Sequence, residues 1–168
     1  MIYLDHAAAT PLDPKVLTAM QPYFSDSFYN PSAPYAPALE VRQEYKAAKH
    51  RIAQAIGASA DELVMTAGAT ESINLAFESI GGHAVVPATE HHAVLEAAKR
   101  HSHTLVAVDE RGMVSPEAIK AAIQPDTRLV SVALANNELG TIQPIRDIAA
   151  IVKQERLKRL EAGETTPI

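Results

Sequence analysis

Ala84-Val85-Val86, Thr104-Leu105-Val106-Ala107-Val108 and Leu129-Val130-Ser131-Val132-Ala133-Leu134 are short apolar runs, each followed by a segment of helical period. Runs of this length and valine content suit buried strands better than helices. A fourth run, Leu63-Val64-Met65-Thr66, precedes them. Between and after the runs, apolar spacing predicts helices over about 69–79, 91–101, 116–123 and 144–160. Ser115-Pro116-Glu117 adds a capping hydroxyl, a first-turn proline and a first-turn acid to the third of these. Strand and helix in alternation imply an α/β fold, a mostly parallel sheet with helices on both faces. In such sheets ligands gather at the carboxyl ends of the strands.

Upstream, the pattern is helical. Asp13 before Pro14 marks a helix start, and Val16, Leu17 and Met20 carry the helix to about Phe24. Pro31, Pro34 and Pro37 then hold 25–37 in an irregular loop. A long helix follows, with Leu39, Ile52, Ala55 and Ile56 as its apolar stripe and Gly57 as its stop. Residues 1–57 are thus expected to form an amino-terminal helical segment, and 58–168 the first part of a larger sheet domain. The tail, Ala162-Gly163-Glu164-Thr165-Thr166-Pro167-Ile168, resembles the approach to one more buried strand.

The 168 residues suffice for one domain with a core, and 47% hydrophobic with 21% charged content is that of a globular protein. The net charge of -5 carries no basic block, so no nucleic-acid partner is expected. No apolar run is long enough to span a bilayer, and the start lacks a signal-peptide pattern, so a cytoplasmic protein without membrane association is expected. The absence of cysteine removes disulfides, thiolate metal sites and thiol catalysis from these residues.

Three polar, small-residue motifs fall at the ends of predicted strands. Thr66-Ala67-Gly68-Ala69-Thr70-Glu71 joins a strand end to a helix start, where free amides, the helix dipole and the Thr70 hydroxyl favour an anion such as a phosphate. Read alone, it is also an ordinary strand-to-helix turn. Thr89-Glu90-His91-His92 brings imidazoles that could stack on a flat heterocycle or move a proton, or could be a plain surface pair. His92 with Glu96 offers only two ligands, so no metal site is expected. Asn136-Asn137-Glu138-Leu139-Gly140-Thr141 could orient a polar ligand or simply turn the chain. Asn30-Pro31-Ser32 is a turn by default and a binding loop at most.

In order along the chain, Tyr3-Leu4-Asp5-His6-Ala7-Ala8-Ala9-Thr10-Pro11, Asn30-Pro31-Ser32, Ala67-Gly68-Ala69-Thr70-Glu71, Thr89-Glu90-His91 with Ala93-Val94-Leu95, Pro125-Asp126-Thr127-Arg128-Leu129-Val130-Ser131 and Asn136-Asn137-Glu138-Leu139-Gly140 resemble the motifs of cysteine desulfurases. These are class V aminotransferase relatives among the fold-type I pyridoxal-phosphate enzymes. The resemblance implies that 58–168 is the first part of the large, cofactor-binding domain of that fold. It implies pyridoxal 5'-phosphate as cofactor, with Ala69 and Thr70 at its phosphate, His91 stacked over its ring and moving protons, and Asn137 bonding the cofactor or the substrate carboxylate region. Asn30 would lie near the substrate.

The implied reaction takes sulfur from L-cysteine, leaves alanine and passes the sulfur to an acceptor or iron–sulfur scaffold protein, within a homodimer. Such chemistry needs a lysine, a carboxylate at the ring nitrogen and a cysteine nucleophile. None of Lys15, Lys46, Lys49, Lys99, Lys120, Lys153 and Lys158 lies in a matching context, and the expected aspartate strand would follow Ile168. The chain is therefore expected to be a fragment inactive alone. Tyr35, Ala38 and Leu134 replace the family's usual histidine, glycine and histidine. Relatives acting on selenocysteine, kynurenine or amino-group donors share parts of this layout, and a non-catalytic remnant or binding module is the alternative from another class.

Overall fold

In the first helix, α1 (Pro14–Met20), Asp13 caps the start by accepting the Lys15 N–H at 2.7 Å, and Pro14 occupies the first turn. The predicted single helix to Phe24 is divided, because Pro22 has no N–H to continue the ladder; it opens the separate turn α2 (Pro22–Ser25). This computed structural model describes residues 2–168. The third helix, α3 (Ala36–Ala55), begins within the stretch expected to be loop. Pro37 sits in its first turn, where a missing N–H costs nothing. Gly57, at φ +70°, ends it as expected.

The apolar stripe expected on α3 is not its buried face. Ile52 and Ile56 are 47% and 66% exposed, whereas Ala38 and Ala53 are fully buried.

A second difference is the absence of the strand expected over 63–66. Leu63, Val64 and Met65 form no ladder, and Val64 is 70% exposed. A strand requires an adjacent backbone to take its hydrogen bonds, and among the described residues none lies beside this segment. The chain instead divides into two compact units, one reaching Met65 and one of Thr66–Ile168. The break comes later than the expected 57/58 boundary. A short 3₁₀ turn, Ala60–Glu62, packs against α3, with Glu62 reaching back to the Ser59 N–H at 2.7 Å.

The second unit carries the alternation read from the sequence. Its elements are α4 (Ala69–Ile80), β1 (His83–Pro87), α5 (His92–Ala98), β2 (His103–Val106), α6 (Pro116–Ala122), β3 (Thr127–Val130) and α7 (Ile145–Glu161). The three strands are parallel in the order β2-β1-β3, with Val85 opposite Thr104 on one side and Val130 on the other. Helices cover both faces. Ala84 and Val86 pack with Phe77 of α4 and with Val94, Ala97 and Ala98 of α5, while Val85 and Val106 pack with Ile119 of α6 and Ile148 of α7. Alternation along β1 thus feeds two cores, the signature of a sheet buried on both sides.

The last predicted strand is shorter than its apolar run. After Val130 only the Ser131 N–H continues the ladder, to Val85 O at 3.0 Å, and the chain then turns into the polar loop. Gly82 is required where it stands: its φ is +73°, and a Cβ there would lie 2.9 Å from the Asp126 carbonyl. Among the described residues, no helix is long and apolar enough to cross a membrane.

Candidate functional site

The 12 residues of α4 rise about 18 Å, and the five of β1 extend about 17 Å. A two-glycine turn joins them, and Phe77 rests on Ala84 and Val86, so α4 runs back along β1. The start of α4 therefore stands at the level of the carboxyl end of β1. The amides of Ala69, Thr70 and Glu71 precede the first intrahelical bond, from Ser72 N to Gly68 O at 3.1 Å. Ala69 and Thr70 are exposed. Gly68 is extended and a Cβ on it would meet nothing within 4 Å, so open space lies over the helix start. Glu71 is turned away from that space, its Oε2 accepting the Ala67 N–H at 2.6 Å. A phosphate-bearing ligand fits this arrangement of free amides, exposed hydroxyl and open space.

His91 follows β1 by a few residues and caps α5. Its Nδ1 accepts the Ala93 N–H at 3.1 Å, so the neutral ring carries its proton on Nε2, and the exposed imidazole offers that N–H outward. One ring nitrogen is committed to the backbone and the other is free. His92 lies 3.9 Å from Glu96 on the exposed side of α5, and no group of three or more potential metal ligands occurs among the described residues.

Asn137 is exposed on the loop after β3, and Asn136 beside it is what holds that loop in place. Asn136 Nδ2 donates to the Thr89 carbonyl at 2.8 Å, while its Oδ1 accepts the N–H groups of Glu138 and Leu139 at 2.9 and 2.8 Å. Glu90 adds a second tie, its Oε1 accepting the Ala133 N–H at 2.6 Å. Burial raises the Glu90 carboxyl above its usual range, opposed by the Ala133 amide and by neighbouring His91. The loops bearing His91 and Asn137 are thus bonded to each other at the carboxyl end of the sheet, the rim to which α4 points its first turn. Glu90 and Asn136 were visible in their motifs as polar residues, but which neighbour does the holding depends on contacts across 43 and 47 positions of chain.

Asn30 belongs to the other unit. Its side chain accepts the Ser32 N–H at 2.9 Å in a local turn, and the loop is tied to α3 by Arg42, which donates to the carbonyls of Pro31 and Ala33 at 2.5 and 3.2 Å. The side-chain oxygen expected near a substrate is therefore used by the backbone, leaving the amide NH₂ as its free end.

The family profile for class-V aminotransferases matches residues 2–160, and the chain belongs to that family. It is 40% identical over 165 residues to a cysteine desulfurase IscS of Dictyoglomus turgidum, covering 91% of this chain and 42% of that protein. It is 38% identical over 168 residues to the cysteine desulfurase IscS of Methanosarcina thermophila, covering 93% and 42% respectively. Among solved structures, "SspA in complex with cysteine" superposes with a TM-score of 0.86 at 37% identity, over 91% of this chain and 48% of that one. A NifS-like protein superposes with the same TM-score at 34% identity, over 93% of this chain and 46% of that one. The chain spans less than half the length of these relatives.

Proposed function

We propose that the Thr66–Ile168 unit forms the phosphate- and ring-binding rim of a pyridoxal-phosphate-dependent cysteine desulfurase, acting on L-cysteine to yield alanine and sulfur for an acceptor protein. The observation that carries this reading is the gathering of three groups at one end of one sheet: the open first turn of α4, the exposed Nε2–H of His91 and the loop of Asn137. Relatives named cysteine desulfurase and a neighbour solved with cysteine support the substrate over that of other class-V enzymes.

In this reading the amides at Ala69 and Thr70 and the Thr70 hydroxyl hold the phosphate, because the helix start presents positive dipole ends without a protein acceptor. His91 would lie against the ring, its Nδ1 held by the Ala93 N–H. Accepting a further proton at Nδ1 would release its cap on Ala93, so the cap favours donation from Nε2 over general-base use of the other nitrogen. Asn137 bonds the cofactor or the substrate carboxylate region, and Asn30 contributes its amide NH₂ near the substrate. The cofactor, when bound, supplies the electron sink that breaking the carbon–sulfur bond requires. The lysine, ring-nitrogen carboxylate and cysteine nucleophile come from outside these 168 residues. A homodimer in the cytoplasm belongs to the same proposal.

Titration of the protein with pyridoxal phosphate, followed by visible absorbance, tests the rim. Replacing Thr70 by Ala removes one hydrogen bond to a charged group and is expected to weaken binding roughly tenfold. Inorganic phosphate should compete in the unsubstituted protein and compete less in Thr70→Ala. Equal affinity in both, without phosphate competition, overturns the assignment. Borohydride reduction of the 168-residue chain with pyridoxal phosphate is expected to leave no adduct at a defined lysine. A stoichiometric adduct at one lysine overturns the inference that the lysine lies elsewhere.

A further inference from the structure

The loop that presents Asn137 is anchored on two sides by side chains with no part in the binding just proposed. Towards β1, Glu90 accepts from Ala133 N and Asn136 donates to Thr89 O, at 2.6 and 2.8 Å. Towards the turn after β2, the buried Gln143 accepts the Val114 N–H through Oε1 at 2.9 Å and donates through Nε2 to the Gly112 carbonyl at 2.7 Å. The Thr141 hydroxyl donates to the Arg111 carbonyl beside it. Gly112 allows this approach, since its φ is +74° and a Cβ would lie 2.5 Å from the Leu139 side chain.

The placement of these bonds is specific. Glu90 adjoins His91 and Asn136 adjoins Asn137, so each cross-loop bond restrains the backbone next to one proposed binding group. Gln143, itself buried, bonds two backbone groups of the turn after β2, the Val114 N–H and the Gly112 carbonyl. One side of the loop is thereby tied to the His91 segment and the other to the turn after β2.

We propose that Glu90, Asn136 and Gln143 are positioning residues that set the separation of His91 from Asn137, an inference that rests on the reading of those two as cofactor-binding groups. A site holds a flat ligand well only when the elements around its binding groups are locked by their own hydrogen bonds. The three residues supply that lock without needing to touch the ligand.

The test uses the full-length protein with pyridoxal phosphate and two readouts, amide hydrogen exchange and the visible circular dichroism of the bound cofactor. Asn136→Asp keeps the oxygen that accepts from Glu138 and Leu139 but cannot donate to Thr89. It is expected to speed exchange over 133–137 roughly tenfold, the equivalent of one lost hydrogen bond, and to reduce the cofactor dichroism. Glu90→Ala should release the Ala133 amide, and Glu90→Gln, whose amide oxygen still accepts, should restore both readouts. Gln143→Ala should speed exchange at Val114 and reduce the dichroism. Should Asn136→Asp not fold, Glu90→Ala carries the same two measurements from a half-buried site. Unchanged exchange at Ala133 in Glu90→Ala, or dichroism unchanged in every variant whose exchange does rise, overturns the proposal. An unsubstituted protein that gives no cofactor dichroism sinks the binding assignment instead, and the exchange rates still decide whether the lock exists.

Discussion

At the amino ends of the three strands, His83 is 1% exposed and both ring nitrogens meet hydroxyls, Nδ1 at Thr127 Oγ1 at 2.8 Å and Nε2 at Thr104 Oγ1 at 2.9 Å. At the carboxyl ends, His91 is exposed and only Nδ1 is engaged. The same contrast separates the cations and amides. Arg159 of α7, 4% exposed, spends its guanidinium on the carbonyls of Thr127 and Gln124, each at 2.8 Å, and on Glu155 at 3.1 Å, whereas Asn137 at the other end is exposed. On the floor of the sheet His83 and Arg159 are buried and bonded to groups at the strand entries. The rim keeps one free end on each side chain that could meet a ligand. Polar residue type alone does not distinguish them; the accounting of partners does.

That contrast is breakable by substitution, and the largest effect on stability should come from the floor. Arg159→Ala leaves two strand-entry carbonyls and Glu155 without their buried donor, and is expected to cost about 3 kcal/mol in urea unfolding. Arg159→Lys should recover little of it, since one ammonium cannot reproduce the planar fork. A loss below about 0.5 kcal/mol would mean that the buried Arg159 bonds contribute little to the floor.

His83→Phe keeps the ring volume but removes two buried hydrogen bonds, leaving the Thr104 and Thr127 hydroxyls with Gln124 alone, at an expected cost of about 2 kcal/mol. His91→Phe, at the rim, should change stability far less, the lost cap on Ala93 being worth at most about 1 kcal/mol. Thermal melts of the pair measure the difference directly.

Glu90 stands between the two regimes, half-buried at the rim with its carboxyl raised by burial. A raised folded value means that the protonated form is favoured in the native state. Its contribution is fully present below the ordinary glutamate value of about 4.5 and is lost as pH rises through the higher folded value. Glu90→Gln keeps the acceptor for Ala133 and removes that ionisation. The stability of the variant relative to the unsubstituted protein should therefore rise between about pH 4 and pH 7, as measured by urea unfolding at both. A flat difference would place the carboxyl in solvent.

The smallest stability effect is expected at Thr70→Ala. An exposed side chain at a helix start should change unfolding by less than about 0.5 kcal/mol. Any larger loss would mark Thr70 as part of the fold rather than of the site.

The sheet strands after residue 80 were legible because valine-rich runs between helical periods have few other solutions. Their lengths were less so, as Leu129–Leu134 was one apolar run while β3 ends at Val130. Beyond Ser131 the Ala133 N–H goes to Glu90 across the loop, and Pro87 on β1 has no N–H to extend the ladder. Leu63–Thr66 had the composition of a strand and is not one, because strand formation depends on a neighbour's backbone. Pro22 was a local signal capable of dividing the first helix, and Pro37 shows the converse, a proline accommodated inside a helix start.

By itself, the sequence determined the strand–helix alternation after residue 80, the burial of β1 on both faces and the placing of two polar motifs after β1 and β3. These follow from periodicity and from backbone geometry, which act over a few residues. Only the tertiary structure decided that His83 and Arg159, polar residues like any others in the string, would be buried and fully bonded, and that Asn136 rather than Asn137 would tie the rim together. Those outcomes depend on which groups meet across tens of residues, and a buried donor or acceptor is tolerable only where such a partner arrives.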